Sequence, residues 1–293
     1  MWYDVGKGGM IMNREVITAK EVAAFEQQLR EEEKSEATVT KYVRDVSAFL
    51  MWMQASEREL ERGTVLAYKE MLIEQYAVTS ANSMIAALNA FFRFYERPQL
   101  CIRQFKVQKK VFCPAEKELT REDYCRLIDT AERKGKIRLA LVLQTICGTG
   151  IRVSELSYIT VEAVRRGAVA VSCKGKTRTV FIVRALQRKL LRYAEENKLT
   201  AGVIFTSKEG KPINRCSVWR EMKALCHDAG ILSDKVFPHN LRHLFARTFY
   251  SVEKDIAKLA DILGHSSINT TRIYIVTTGA EHLRRMEQMH LIL

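Results

Sequence analysis

Apolar residues return at steps of three and four along most of this chain, and in alternation only in one short stretch. The clearest case begins near Ala37. There Val39, Tyr42, Val43, Val46, Phe49 and Leu50 recur as one buried helix face requires. Ahead of it, Thr18-Ala19-Lys20-Glu21 has the form of a capping box, in which threonine and glutamate each satisfy a free amide at a helix start, so a helix is predicted to about Glu33. Further helices are predicted near 63–76 and 80–95, the last stopping before Pro98. A second cap-like start, Thr120-Arg121-Glu122-Asp123, opens a helix to Arg133. An apolar helix over 137–147 follows, is broken by Gly148-Thr149-Gly150, and a new helix begins near Arg152. Residues 168–172 and 177–183 are β-type runs flanking Lys174-Gly175-Lys176, which predicts a hairpin. Helical patterns then cover about 185–197, 214–229, 239–250, 255–263, 268–275 and 280–289. The expected fold is mainly α with a small β-hairpin in its C-terminal part.

The punctuation divides the chain. Residues 1–12 read as a disordered leader, 13–105 as a helical domain, 106–117 as a linker and 118–293 as a second domain with a C-terminal tail helix. Lys7-Gly8-Gly9 can be encoded by a purine-rich run resembling a bacterial ribosome-binding site, so Met12 is the expected start of translation. The linker mixes charge with Pro114 and has no period. It is either a solvated connector or a basic strap between two DNA-contacting domains.

With 293 residues, of which 47% are hydrophobic and 28% charged, the chain can bury a sizeable core without staples. No apolar run reaches the roughly 18 residues of a membrane span, and the N-terminus lacks a signal-peptide pattern, so a cytoplasmic protein is expected. The seven cysteines, at 101, 113, 125, 147, 173, 216 and 226, are scattered and without C-x-x-C spacing, which predicts neither disulfides nor a zinc site. Charge is unevenly spread. Residues 1–113 hold 16 Lys+Arg against 15 Asp+Glu, whereas 114–293 hold 31 against 19. The second part is therefore the stronger polyanion binder, although charge alone supplies only sequence-independent phosphate affinity.

Candidate chemistry sits in the turns and helix starts of that basic part: Arg152 after Gly-Thr-Gly, Lys174 in the hairpin turn, His239 and Arg242 one helical turn apart, His265 after Gly264, and Tyr274. Each alone has a bland explanation as a surface, capping or half-buried core residue. Their order and contexts, however, resemble the tyrosine recombinase (phage integrase) family. The segments that carry the resemblance are GTGIRVSEL (148–156), CKGKTR (173–178), PHNLRHLFA (238–246) and LADILGHSSINTTRIY (259–274), and more loosely ATVTKYVRDVSAFLMWM in the N-terminal helices. The architecture is similar to the Xer-like minimal two-domain form, with a SAM-like core-binding domain before the catalytic domain.

The resemblance implies a site-specific recombinase that cuts and rejoins double-stranded DNA through a 3′-phosphotyrosyl link. Arg152, Lys174, His239, Arg242, His265 and Tyr274 would surround the scissile phosphate, with Tyr274 as nucleophile. The residue types suit the task. Arginines grip phosphate oxygens with forked donors and stay charged at any working pH. A tyrosine phenol ionises only near pH 10, so a proton acceptor such as His239 helps it attack. Lys174 would protonate the departing oxygen. No cofactor, metal or ATP is implied, since the bond energy is kept in the tyrosyl ester. The hairpin is one residue shorter between its first lysine and the arginine than the commoner GKGxKxR, which leaves Lys176 beside Lys174 as the acid. With Lys174 in that role, Lys176 and Arg178 are expected on DNA phosphates. Glu155, three residues after Arg152, either orients it or faces solvent. His243 is expected on a different helix face, as a structural residue.

In such a family the amphipathic tail, with Leu283, Met286, Met289 and Leu293 near helical spacing, packs on a neighbouring copy in a ring of four on two duplexes; the other reading is packing on its own domain. The job is integration or excision of a mobile element, or Xer-type resolution. An accessory protein or second recombinase is compatible with either. Two alternatives remain: a type IB topoisomerase-like enzyme, and a silent DNA-binding regulator of the same fold.

Overall fold

A computed structural model describes residues 17–107, 118–173, 176–207, 209–274, 283–284 and 286–289. The leader over 1–12, most of the linker and Lys174 lie outside the described residues, as do Leu293 and part of the tail. The chain divides into two compact units, residues 1–109 and 110–293.

The first unit is built from helices α1 (Ala19–Glu31), α2 (Glu36–Ala55), α3 (Arg62–Gln75) and α4 (Val78–Phe94). The capping box of α1 forms: the Thr18 side chain accepts from the Lys20 amide at 3.2 Å, and the Thr18 amide donates to Glu21 at 2.8 Å. The core is aromatic. Phe25 meets Phe91 edge-on at 5.3 Å, and Phe49 meets Tyr68 at 5.0 Å, an arrangement aromatic quadrupoles favour. On α2, Val39, Val46 and Phe49 are buried and Tyr42, Val43 and Leu50 half-buried, as their spacing predicts. After α4 the chain returns in extended form along that helix. Two asparagines there act as surrogate peptide groups: Asn89 exchanges a pair of hydrogen bonds with the backbone of Ile102 (2.8 and 2.9 Å), and Asn82 does the same with Phe105 (2.9 and 2.7 Å).

The second unit surrounds helix α6 (Ile137–Thr149), whose residues Leu139–Leu143, Thr145 and Ile146 are all buried. It packs against α5 (Arg121–Arg133), α8 (Arg184–Glu196), α9 (Arg215–Ala229) and α10 (Pro238–Glu253). A helix apolar on nearly every side must be covered on every side. Between α6 and α8 lie a 3-10 turn (Val153–Tyr158), the short helix α7 (Val161–Arg166) and an antiparallel hairpin of β1 (Ala168–Cys173) and β2 (Lys176–Phe181). Its register sets Cys173 opposite Lys176 and Val171 opposite Arg178. Helices α11 (Ile256–Leu263) and α12 (Ile268–Arg272) follow α10.

Two expectations change here. Gly148-Thr149-Gly150 does not break α6 at Gly148. The helix runs through Thr149 and ends at Gly150, whose φ of +66° is the left-handed cap that glycine adopts cheaply. A Cβ on Gly150 would lie 2.5 Å from the Phe245 ring, so the turn also needs the missing side chain. The helix expected at Arg152 is a single 3-10 stretch.

Candidate active site

Three chain reversals bring the candidate residues together: the end of α6, the start of α10 and the end of α11. Arg242, on the first turns of α10, is 1% exposed. Its terminal nitrogens donate to the carbonyls of Gly150 (2.5 Å) and Leu263 (2.6 Å), at the C-terminal ends of α6 and α11. Those carbonyls carry the negative end of each helix, so a cation is welcome between them. The same guanidinium reaches His265 Nε2 at 3.0 Å. Its Nε, by contrast, is buried and has no hydrogen-bond partner among the described residues. Burial, and then the neighbouring Arg152, lower its pKa to about 10, so it remains charged at neutral pH.

Arg152 caps the 3-10 turn and stays partly open to solvent. Its backbone N–H donates to Glu155 at 2.8 Å and a terminal nitrogen donates to the same carboxylate at 2.9 Å. Glu155 is buried and does not face solvent. It also takes a forked pair of hydrogen bonds from Arg178, at 3.0 and 2.7 Å. Burial by itself would raise the Glu155 pKa, but the bonds from Arg178 and Arg152 outweigh it and bring the carboxyl down to about 2. Arg178 is anchored at its Nε as well, which donates to the Ile262 carbonyl at 3.1 Å. Each of its three guanidinium nitrogens has a protein partner, which commits three of its five N–H donors. Gly264 makes room for that side chain. It adopts φ +64°, and a Cβ there would come within 2.7 Å of Arg178 Cδ.

Tyr274 follows α12 and is 5% exposed. Its hydroxyl lies 3.3 Å from His239 Nε2, and the phenol also faces Arg242. Loss of hydration, then the positive charge of Arg242, Arg152 and Arg215, lower the His239 pKa, which leaves the ring neutral with a lone pair to offer. His265 is likewise neutral: burial and Arg242 take it down to about 4. Its Nδ1 meets the Thr271 hydroxyl at 2.8 Å.

His243 corrects an expectation. It lies four residues after His239, hence on the same side of α10, and its ring stacks on Tyr274 with centroids 4.2 Å apart and planes at 27°. His239 meets His243 edge-on at 4.8 Å. Burial, followed by His239, lowers the His243 pKa to about 3, so the phenol lies on an uncharged ring. The i, i+4 spacing was the available signal. Lys174 lies outside the described residues. Lys176 opens β2, with its backbone paired to Cys173.

The site therefore holds a phenol beside a neutral imidazole, with one buried and one half-open guanidinium nearby. The profile of the phage integrase family matches residues 117–280, and that of the phage integrase N-terminal SAM-like domain matches residues 22–99. The chain belongs to the phage integrase family. It is a tyrosine recombinase, an enzyme that breaks and rejoins DNA for site-specific recombination. Tyrosine recombinase XerA of Pyrococcus furiosus is 30% identical over 282 residues, covering 93% of this chain and 94% of that protein. Tyrosine recombinase XerD of Vibrio vulnificus is 27% identical over 274 residues, covering 87% and 90%. Among solved structures, XerA recombinase matches this recombinase with a TM-score of 0.52 at 25% identity, over 94% of this chain and 98% of that one. The pre-cleavage complex of XerH site-specific recombinase with its difH substrate matches in fold with a TM-score of 0.67 at 17% identity, over 93% and 90%. The topoisomerase and silent-regulator alternatives are not favoured.

Proposed function

We propose that Tyr274 of this recombinase attacks a DNA phosphate, with Arg152, Lys174, His239, Arg242 and His265 as its partners. The observation that carries this reading is the Tyr274 hydroxyl held 3.3 Å from a neutral His239 imidazole, beside the charged Arg242. Attack forms the bond from the phenolic oxygen to phosphorus and breaks the bond to the 5′ oxygen. The phenolic proton passes to His239 Nε2, and the departing 5′ oxygen takes a proton from Lys174. Arg152 and Arg242 grip the non-bridging oxygens and stabilise the charge that builds on them in the transition state. The Nε of Arg242, unpartnered among the described residues, supports this role, because a buried donor without an acceptor is costly until an anionic oxygen arrives. Attack by a partner strand's 5′ hydroxyl on the phosphotyrosine then reseals the backbone and frees the phenol.

Glu155 and Arg178 hold Arg152 in place, and Lys176, with the donors Arg178 has left, meets DNA phosphate beside the hairpin. Leu283, Met286 and Met289 of the tail are exposed, which supports their packing on a second copy, in a tetramer spanning two DNA sites. The biological job is integration and excision of a mobile element, or Xer-type resolution, with an accessory protein or second recombinase where the site demands it. Sequencing covalent protein–DNA adducts across the host genome identifies the target. On a suicide duplex carrying that target, wild type accumulates a covalent adduct, while Tyr274→Phe binds with the same affinity and traps none. Absence of adduct with wild type refutes the reading.

A further inference from the structure

His265 is held from both sides, by Thr271 at Nδ1 (2.8 Å) and by Arg242 at Nε2 (3.0 Å). A guanidinium has only donors to offer, so Nε2 accepts and the ring proton sits on Nδ1, pointing at the Thr271 oxygen. Thr271 then acts as acceptor. Its side chain is 0% exposed, and among the described residues its hydroxyl has no partner other than His265, so in this state its own O–H lacks an acceptor. In the opposite tautomer the deficit moves. Thr271 donates to Nδ1 and is satisfied, while Nε2–H confronts the guanidinium, donor against donor. The first state leaves one donor without an acceptor and the second leaves two, and a single anionic oxygen near Nε2 can accept from both of these, so it removes the deficit only in the second. A charge-assisted bond is the stronger one, so Arg242 dictates the first state until such an oxygen enters.

We infer that Thr271 is a positioning residue whose hydroxyl, able to accept or donate, lets His265 exchange tautomers when phosphate binds, turning from acceptor toward Arg242 into donor toward the phosphate oxygen. The inference rests on the reading of His265 as a phosphate contact. In the exchange one proton leaves Nδ1 for water and one reaches Nε2 from water, and the Thr271 O–H swings from solvent-free idleness onto Nδ1, with no net change of charge. Because burial and Arg242 keep the ring neutral at neutral pH, tautomer rather than protonation is the quantity that varies. Thr271 is also coupled to the nucleophile: its carbonyl accepts from the Tyr274 amide at 2.9 Å, so the short segment that presents the phenol also presents the hydroxyl.

The test is nitrogen NMR of the full chain labelled at histidine, with His265 assigned through His265→Gln. The free protein should show Nδ1–H at His265, and inorganic phosphate should convert it to Nε2–H. Thr271→Ser should convert as wild type does, and Thr271→Val should not. On the suicide duplex, Thr271→Val should form adduct about tenfold more slowly, the loss of roughly one hydrogen bond, with DNA affinity within about twofold of wild type; Thr271→Ser should stay within about twofold in both. A His265 signal that moves with phosphate but keeps one tautomer overturns the inference, as does a valine variant that converts and cleaves like wild type. A His265 signal that phosphate does not move, together with normal cleavage by His265→Gln, overturns the underlying phosphate-contact reading instead.

Discussion

Replacing Glu155 by glutamine keeps the side-chain volume and removes the charge between two arginines. The carboxylate is buried, accepts from Arg152 at 2.8 and 2.9 Å, and takes the forked pair from Arg178. A carboxyl held at about 2 instead of its ordinary 4.5 ties about 3 kcal/mol of folding stability to its charge. Breaking one partner of a buried ion pair leads to a similar figure, about 3–5 kcal/mol. The sign follows from the direction: the folded pKa is depressed, so the contribution is complete above pH 4.5 and disappears as pH falls toward 2. Glu155→Gln should therefore be about 3 kcal/mol less stable at pH 7, and the gap should narrow by about 2 kcal/mol at pH 3. Other carboxylates titrate alike in both proteins and cancel in the difference. Protection of α6 amides from hydrogen exchange, measured across that pH range, isolates the C-terminal unit. A gap below about 1 kcal/mol at pH 7, or one that does not change between pH 7 and 3, would refute the reasoning.

Gly264→Ala should cost about 1–2 kcal/mol, since alanine at φ +64° is strained and its Cβ would displace Arg178 from Glu155; the pH-dependent part of the stability should weaken with it. His243→Ala removes the face on which Tyr274 lies, a contact of about 0.5–1.5 kcal/mol, so adduct formation on the suicide duplex should slow by up to about tenfold, while His243→Phe keeps the stack and most of the rate. Equal rates for both variants would refute a positioning role. In the N-terminal unit, Asn89→Ala strands a backbone amide and carbonyl at Ile102 and should cost about 1–3 kcal/mol, read as faster amide exchange in α4 with no change in adduct chemistry once bound.

Helix starts were legible wherever a side chain announces them, as at Thr18 and Thr120, because capping is a local event. Helix α7 escaped notice: at six residues it is too short for a hydrophobic period, although Thr160 and Gly167 mark both of its ends. The inward course of Arg178 was hidden for a different reason. Its partner Glu155 is 23 residues away, and only the fold shows that the hairpin turns this arginine inward while Gly264 opens a channel for it. Tyr274, His239 and Arg242 were readable as a set because their motifs are distinctive in order and spacing. The stack of His243 on the phenol was readable in principle from the four-residue step within α10, which places both histidines over the same surface.

In the proposed mechanism Arg242 does two jobs with one side chain, and this constrains how such an enzyme can lose its activity. Its outer nitrogens close the carbonyl ends of α6 and α11, while its Nε, without a partner among the described residues, is the one proposed to meet phosphate. A descendant that abandons strand cleavage yet keeps gripping DNA can discard the phenolic oxygen at little structural expense. It cannot discard the guanidinium, because the scaffold would lose its keystone along with its grip. Inactivation by drift should begin at the nucleophile and reach the arginine last.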